Sequence, residues 1–135
     1  MLTLRQAFVW STERSLWARA VEVSPLAPGP HLALGRAYQH LHRFEDASRE
    51  YLIALDLAGV SNETRQYRFA IGTNMAKLMA ENHQADKAMV ILDSLTEQYP
   101  ESAGFLMNLK VILLLHSGMN CRMIRLLQLP CVNPS

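Results

Sequence analysis

The residue types that could carry chemistry in this chain are few, and their spacing favours structural roles. His40 and His42 flank Leu41 near a turn, where we expect them to end a helix and enter a loop. A metal site would need a third ligand at a suitable spacing, and none accompanies this pair. The sequence therefore predicts a solvated histidine pair and no metal site.

Acidic and nucleophilic side chains lead to the same expectation. Glu45 and Asp46 open the helix after the histidines, where carboxylates interact favourably with the positive end of the helix dipole. The serines form no nucleophile motif, and no glycine-rich loop is present to hold a phosphate. We therefore expect a protein that is not an enzyme, with no catalytic residues and no cofactor.

Charge and composition exclude two further classes of function. The 135 residues include 13 lysines and arginines and 12 aspartates and glutamates, which gives a formal net charge of +1. Such a balance lacks the basic surface that nucleic-acid binding needs. The longest apolar run, Val111 to Leu115, is far shorter than the roughly 20 residues of a membrane-spanning helix. We expect a soluble chain, cytoplasmic or periplasmic, that reaches a membrane only through a partner or a preceding segment.

Helical periodicity runs through the whole chain. After Phe44, small or apolar residues recur at Ala47, Tyr51, Ala54 and Ala58, which places them on one face of a helix. No segment alternates with the two-residue period of a strand. The pattern predicts an all-α fold with helices over residues 12–23, 30–41, 44–58, 62–82, 85–98, 102–116 and 119–129, and a partial helix over 2–9.

The helices repeat at a regular distance along the chain. Alternate helices meet a breaker at Pro25, Gly59, Pro100 or Pro134, at intervals of 34, 41 and 34 residues. The seven extra residues of the middle interval are nearly two helical turns, so a lengthened helix keeps its buried face almost in phase. The spacing divides one domain, 1–135, into a degenerate half repeat and three units: 1–27, 28–61, 62–102 and 103–135.

A 34-residue unit of this kind resembles the tetratricopeptide repeat. The unit 28–61 departs from the family at His31, where a tryptophan is common, and at Gly59, which replaces a proline. The resemblance implies a right-handed α-α superhelix of stacked antiparallel hairpins, with about seven helices. The residues that carry it are Leu34, Gly35, Tyr38, Ala47, Tyr51 and Ala54 in the best unit, and Ala88 and Pro100 in the next.

Gly35 is an unusual choice for the middle of a helix. Glycine there costs about 1 kcal/mol relative to alanine. Two helices approach closely when small residues line their contact, so we expect Gly35, Ala47 and Ala54 to make room for large facing side chains. Burying one aromatic ring contributes about 1.5–3 kcal/mol, which outweighs the helix penalty. The candidates to fill this room are Tyr38, Phe44 and Tyr51.

A narrower resemblance concerns residues 8–38. This segment is similar to the join in multi-span glycosyltransferase-like membrane proteins that carry a C-terminal tetratricopeptide domain. No membrane-embedded catalytic domain is present in this sequence, so no activity carries over. The alternative is that Trp10 and Trp17, seven residues apart, are core residues of the first hairpin. The likeness is carried by Trp10, Glu13, Leu16, Trp17, Ser24 and Pro25.

The tetratricopeptide resemblance also implies where a partner would bind. In that family the first helices of successive units line a groove that holds an extended peptide or a partner helix. The family's clamp for chaperone C-terminal peptides needs lysine and asparagine at set places, and only Asn74 matches it, so we do not expect that ligand. The implied protein-binding residues are Arg36, Gln39, His40, Asn74, Lys77 and Glu81, with Met107, Val111 and Leu114 from the third unit.

Two functions remain open at this point. The leading prediction is a non-catalytic scaffold that binds a peptide or a partner helix. The alternative is an accessory domain of a membrane glycosyltransferase-like protein whose catalytic part is not in this chain. For Arg36 and Lys77, an ordinary solvated helix face is the competing interpretation.

The C-terminal helix, 119–129, has apolar residues around most of its circumference. The last helix of a repeat stack normally has a polar outer face, because no further repeat covers it. An exposed apolar patch usually marks an interface. We expect this helix to pair two copies of the chain or to cover another protein, in preference to forming a partly disordered tail. Its apolar residues are Met119, Cys121, Met123, Ile124, Leu126, Leu127 and Leu129.

Overall fold

A computed structural model describes residues 3–59, 63–118 and 121–126, and in these ranges the chain consists of helices and the turns between them. The all-α prediction is confirmed, whereas the superhelical arrangement stays a prediction. The elements are α1 (Leu4–Val23), α2 (Pro28–His40), α3 (Phe44–Ala58), α4 (Arg65–Glu81), α5 (Ala85–Gln98), a 3-10 turn (Pro100–Ser102), α6 (Ala103–His116) and α7 (Cys121–Leu126).

The chain forms two compact units, Met1–Asn74 and Met75–Ser135, and the boundary falls within α4. In the first unit α2 packs against both α1 and α3. In the second unit α6 packs against α5, the 3-10 turn and α7. The division of the sequence into a half repeat and three repeat units stays a prediction.

The predicted break between a partial helix over 2–9 and a helix from residue 12 is wrong, because α1 is continuous. Its first turn is closed by a capping box, in which the Thr3 hydroxyl accepts from the Gln6 backbone N–H and the Gln6 side chain accepts from the Thr3 N–H. Neither glycine nor proline occurs before Val23. The Thr12 hydroxyl donates to the Phe8 carbonyl oxygen (2.9 Å), so the hydrogen-bonding need of this side chain is met within the helix.

The turns that end α2 and α4 share one geometry. His42 and His83 both adopt the left-handed backbone conformation, with φ of 59° and 60°. In each turn the next residue donates back to the third-last helical carbonyl: Arg43 N–H to Tyr38 O (2.9 Å) and Gln84 N–H to Met79 O (2.8 Å). This is the Schellman arrangement. The two histidines are 41 residues apart, which equals the middle repeat interval of the sequence.

The contact between α2 and α3 is interlocked at Gly35. A Cβ atom added there would lie 2.6 Å from Cε1 of Tyr51, far inside contact distance, so the glycine is required by the tyrosine ring. Tyr51 is fully buried, as are Ala47 and Ala54 on the same face of α3. Of the three aromatic candidates, Tyr51 fills the space at the glycine.

The other two aromatic candidates lie at the margin of this contact. Tyr38 is half-buried, with the guanidinium carbon of Arg43 4.8 Å from its ring centroid. Phe44 is also half-buried and meets the His42 ring edge-on. They pack against the turn between the helices.

His31 is buried in the first unit, with 5% of its surface exposed. Its Nδ1 lies 2.7 Å from Oε2 of Glu50 on α3, and its Nε2 lies 2.9 Å from the carbonyl oxygen of Pro25. The ring therefore connects α2 to α3 and to the turn that follows α1.

The second unit is built around leucines. Val111 and Leu114 are buried and pack with Met89 and Leu115, so these two predicted groove positions belong to the core. Met107, the third, is exposed. At the edge of the α5–α6 contact, Lys110 forms an ion pair with Asp93. The other buried residues of these two helices are Ala88, Leu92, Leu95, Leu106, Leu109 and Leu113, and Pro100 starts the 3-10 turn between them.

Part of the predicted C-terminal helix lies outside the described residues, namely 119–120 and 127–129. Within α7, Leu126 is 78% exposed and Met123 is 47% exposed. Association through this helix stays a prediction.

Candidate functional site

An open cleft of about 300 Å³ lies between α1 and α2. Ligand pockets typically occupy roughly 300–1,000 Å³, so this one is at the small end. The cleft has room for one large side chain and the backbone beside it. Its lining residues are Val9, Trp10, Glu13, Trp17, Ala33 and Arg36.

Helix α1 contributes four of the six lining residues. Trp10, Glu13 and Trp17 are spaced by three and four residues, so they share one face of the helix. No residue of α1 is fully buried, and both indole rings are only half-buried. Because α1 is continuous, one rigid helix holds both rings against the same side of α2.

Helix α2 contributes Ala33 and Arg36. Prolines at positions 28 and 30 lie in its first turn, where a proline needs no N–H donor and its fixed φ suits a helix. Ala33 is half-buried, and its small side chain leaves the floor of the cleft open. Arg36 is exposed one turn further along the helix.

The two charges in the cleft are not joined to each other. The Trp17 Nε1–H donates to Oε2 of Glu13 (3.0 Å), which holds this carboxylate against its own helix. Arg36 forms no hydrogen bond or ion pair with any residue in the described ranges. A ligand that enters the cleft therefore meets a guanidinium whose donors are bound by none of the described residues.

His40 extends this surface at the end of α2. Its ring stacks on Trp10, with 3.7 Å between ring centroids and an interplanar angle of 6°. His42 instead lies in the left-handed turn and contacts Phe44, with 5.8 Å between centroids. Both histidines are exposed, as expected, with His40 at the end of α2 and His42 in the turn, and the two have separate aromatic partners.

Gln39 requires a correction among the predicted binding residues. It is 8% exposed, and its Oε1 accepts a hydrogen bond from the hydroxyl of buried Tyr51 (2.6 Å). Its side chain completes the α2–α3 contact, because the tyrosine hydroxyl would otherwise be buried without a partner. Gln39 therefore lies on the structural side of α2 and does not line an open surface.

The remaining predicted residues lie on α4. Asn74 belongs to the first unit, and its Nδ2 donates to the carbonyl oxygen of Ala70 one turn earlier (2.9 Å). Lys77 is half-buried and Glu81 is exposed, and both belong to the second unit. Of the six predicted residues, the structure places Arg36 in the α1–α2 cleft and His40 against its wall.

Sequence reasoning assigned the two tryptophans to a hairpin core or to a family likeness, and not to a binding surface. The available signal was their number and spacing: they are the only tryptophans in the chain, and they lie on one helix face together with Glu13. A buried tryptophan needs a partner for its N–H. The partner of the Trp17 N–H is Glu13, four residues earlier on the same helix, which indicates a ring at a surface and not in a core.

The described part of the chain was also compared with the requirements of a metal site and of a membrane-spanning helix. There, no three histidine, cysteine, aspartate or glutamate side chains are grouped so that they could hold a metal ion. Cys121 and Cys131 are not among the side chains that the structure describes. None of the described helices combines the length and apolar character required to cross a bilayer.

Comparison with protein-family models, curated proteins and solved structures finds no match to this chain.

Proposed function

We propose that this chain is a non-catalytic interaction module that binds a peptide segment of a partner protein in the α1–α2 cleft. The observation that carries the proposal is the combination of two half-exposed indole rings with a guanidinium that has no partner among the described residues. Tryptophan and arginine are the side chains most enriched where protein interfaces concentrate their binding energy. Here they lie together beside unfilled space.

The competing interpretation for Arg36 is an ordinary solvated helix face. That interpretation accounts for an exposed arginine, but it does not account for a cleft of about 300 Å³ beside it. The cleft is open to solvent, and its lining places two indole rings beside the guanidinium, so a ligand could contact all three together. The cleft favours a surface that is completed by a ligand.

The test is a selection of displayed random peptides against the wild-type chain, followed by binding measurements on two variants. We expect the selected peptides to lose at least tenfold in affinity for Trp17→Ala. Arg49→Ala is the matched control, because Arg49 is exposed on α3 and away from the lining residues. If no peptide is enriched, or if both variants bind the selected peptides like the wild type, the proposal is wrong.

A further inference from the structure

We infer that the peptide which occupies the α1–α2 cleft carries a single acidic residue next to a large aromatic residue. This inference rests on the proposed function and deepens it, because it assigns the chemistry of the occupant. The partner is then a protein with an exposed aromatic–acidic dipeptide in an extended segment.

The acidic residue follows from Arg36. A guanidinium binds a carboxylate through two parallel N–H···O bonds, and these charge-assisted bonds are stronger than neutral ones. In this chain the natural candidate, Glu13, lines the same cleft but is held by the Trp17 N–H, and no bond joins it to Arg36. Arg36 is exposed and has no carboxylate partner among the described residues, so a ligand carboxylate can take both of its paired N–H donors.

The negative charge of Glu13 limits the part of the ligand inside the α1–α2 cleft to one acidic residue. Its carboxylate faces the same small space, so a second ligand carboxylate would enter against a like charge. The second oxygen of Glu13 accepts no bond from a described residue, which leaves it to accept a backbone N–H of the peptide. An acid-rich tail is therefore a poorer fit than an isolated aspartate.

The aromatic neighbour follows from the rest of the lining. Val9, Trp10, Trp17 and Ala33 present apolar surface around the space. His40 already stacks on one face of Trp10, so a ligand ring meets the indoles by edge-to-face or offset contact. A volume of about 300 Å³ has room for one aromatic ring against this lining.

The two indole N–H signals of the protein provide a direct readout. Trp10 and Trp17 are the only tryptophans in the sequence, and both line the cleft. In a two-dimensional 1H–15N spectrum of the full chain, both side-chain signals therefore report on this site. The probes are six-residue peptides with capped ends and glycine flanks, whose central pairs are Phe-Asp, Phe-Asn, Ala-Asp and Phe-Lys.

We expect the Phe-Asp peptide to shift both indole signals in a saturable way, and the other three to bind at least tenfold more weakly. Arg36→Glu should reverse the preference, so that this variant binds the Phe-Lys peptide more tightly than the Phe-Asp peptide. Because Arg36 is exposed, we expect the Arg36→Glu variant to fold like the wild type. Its backbone 1H–15N spectrum checks that the fold is unchanged.

Equal affinities for the Phe-Asp, Phe-Asn and Ala-Asp peptides would overturn the inference, and so would the absence of any indole shift. The proposed function is judged separately by the peptides selected from a random library. If those peptides need Trp17 but contain no aromatic–acidic pair, the cleft binds peptides and only its assigned chemistry is wrong. If they do not need Trp17, the proposed function fails.

Discussion

Helix α2 has two sides that are packed in opposite ways. On the side of α3 the helices interlock: Gly35 receives the Tyr51 ring, and the Tyr51 hydroxyl is satisfied by Gln39. On the side of α1 a cleft remains beside Ala33, and Arg36 has no partner in the described part of the chain. Both sides use small residues, but only one of them is filled by a large side chain of the protein itself.

This difference separates a small residue whose space is filled by the protein itself from a small residue that lies beside open space. At Gly35 the missing side chain is replaced by a ring on the neighbouring helix. At Ala33 no equivalent ring enters, and the space stays open to a ligand. The same helix therefore holds the fold together on one side and, in the function we propose, recognises a partner on the other.

The largest effect is expected from Gly35→Leu. We expect it to lower the free energy of unfolding by about 3 kcal/mol, at the upper end of the usual cost of overpacking, because even one added carbon lies 2.6 Å from Tyr51. Urea unfolding followed by circular dichroism measures the change. Arg49→Ala, on the exposed face of α3, should change stability by less than about 0.5 kcal/mol.

A second control for this prediction comes from the other unit. Gly104 also lies in a helix, but a Cβ added there meets nothing within 4 Å. Gly104→Ala should therefore stabilise the chain by about 0.4–1 kcal/mol, whereas Gly35→Ala should destabilise it. Changes of the same sign at both glycines would remove the interlocking argument.

The next largest effect is expected at His31. His31→Ala should cost about 2 kcal/mol, because it removes the part-buried contacts of the ring with the Glu50 carboxylate and the Pro25 carbonyl oxygen. Glu50→Ala should cost a similar amount. If the two groups act as a pair, the double variant should be less destabilised than the two single costs together. Additive costs in the urea experiment would show that the link between α2 and α3 does not depend on this contact.

Binding should respond to charge with little change in stability. For a peptide that binds the cleft, Arg36→Glu should weaken affinity about tenfold, which corresponds to about 1.4 kcal/mol, and should reduce its dependence on salt concentration. The affinity of Lys77→Glu, measured alone and together with Arg36→Glu, reports whether the predicted residues of α4 also contribute to binding. Isothermal titration at two salt concentrations gives both quantities. A partner untouched by the double change must bind elsewhere.

The sequence predicts the helices well because their apolar stripes and breakers are local features. It also singles out Gly35, since a glycine inside a helix needs a packing reason. The same reasoning misses the cleft, because two tryptophans seven residues apart look identical whether they face a core or a groove. It also misplaces Val111 and Leu114, since an apolar stripe does not show which neighbour covers it.

The break predicted within α1 shows another limit. Ser11 and Thr12 favour loops by propensity, but in the structure the Thr12 hydroxyl bonds to its own helix and the capping box fixes the start. Gln39 was misplaced for a similar reason. Its partner, the Tyr51 hydroxyl, lies on another helix, and no local pattern places these two side chains together.

The central claim, that the α1 side of α2 is open and the α3 side is filled, can be tested most directly by one pair of substitutions. Ala33→Leu and Ala47→Leu add the same atoms, one beside the cleft and one in the fully buried face of α3. The measurement is the free energy of unfolding of both variants in urea. We predict a loss of about 1–3 kcal/mol for Ala47→Leu and a change of less than about 0.5 kcal/mol for Ala33→Leu. An equal loss in both variants would contradict the account, because it would show that no open space exists beside Ala33.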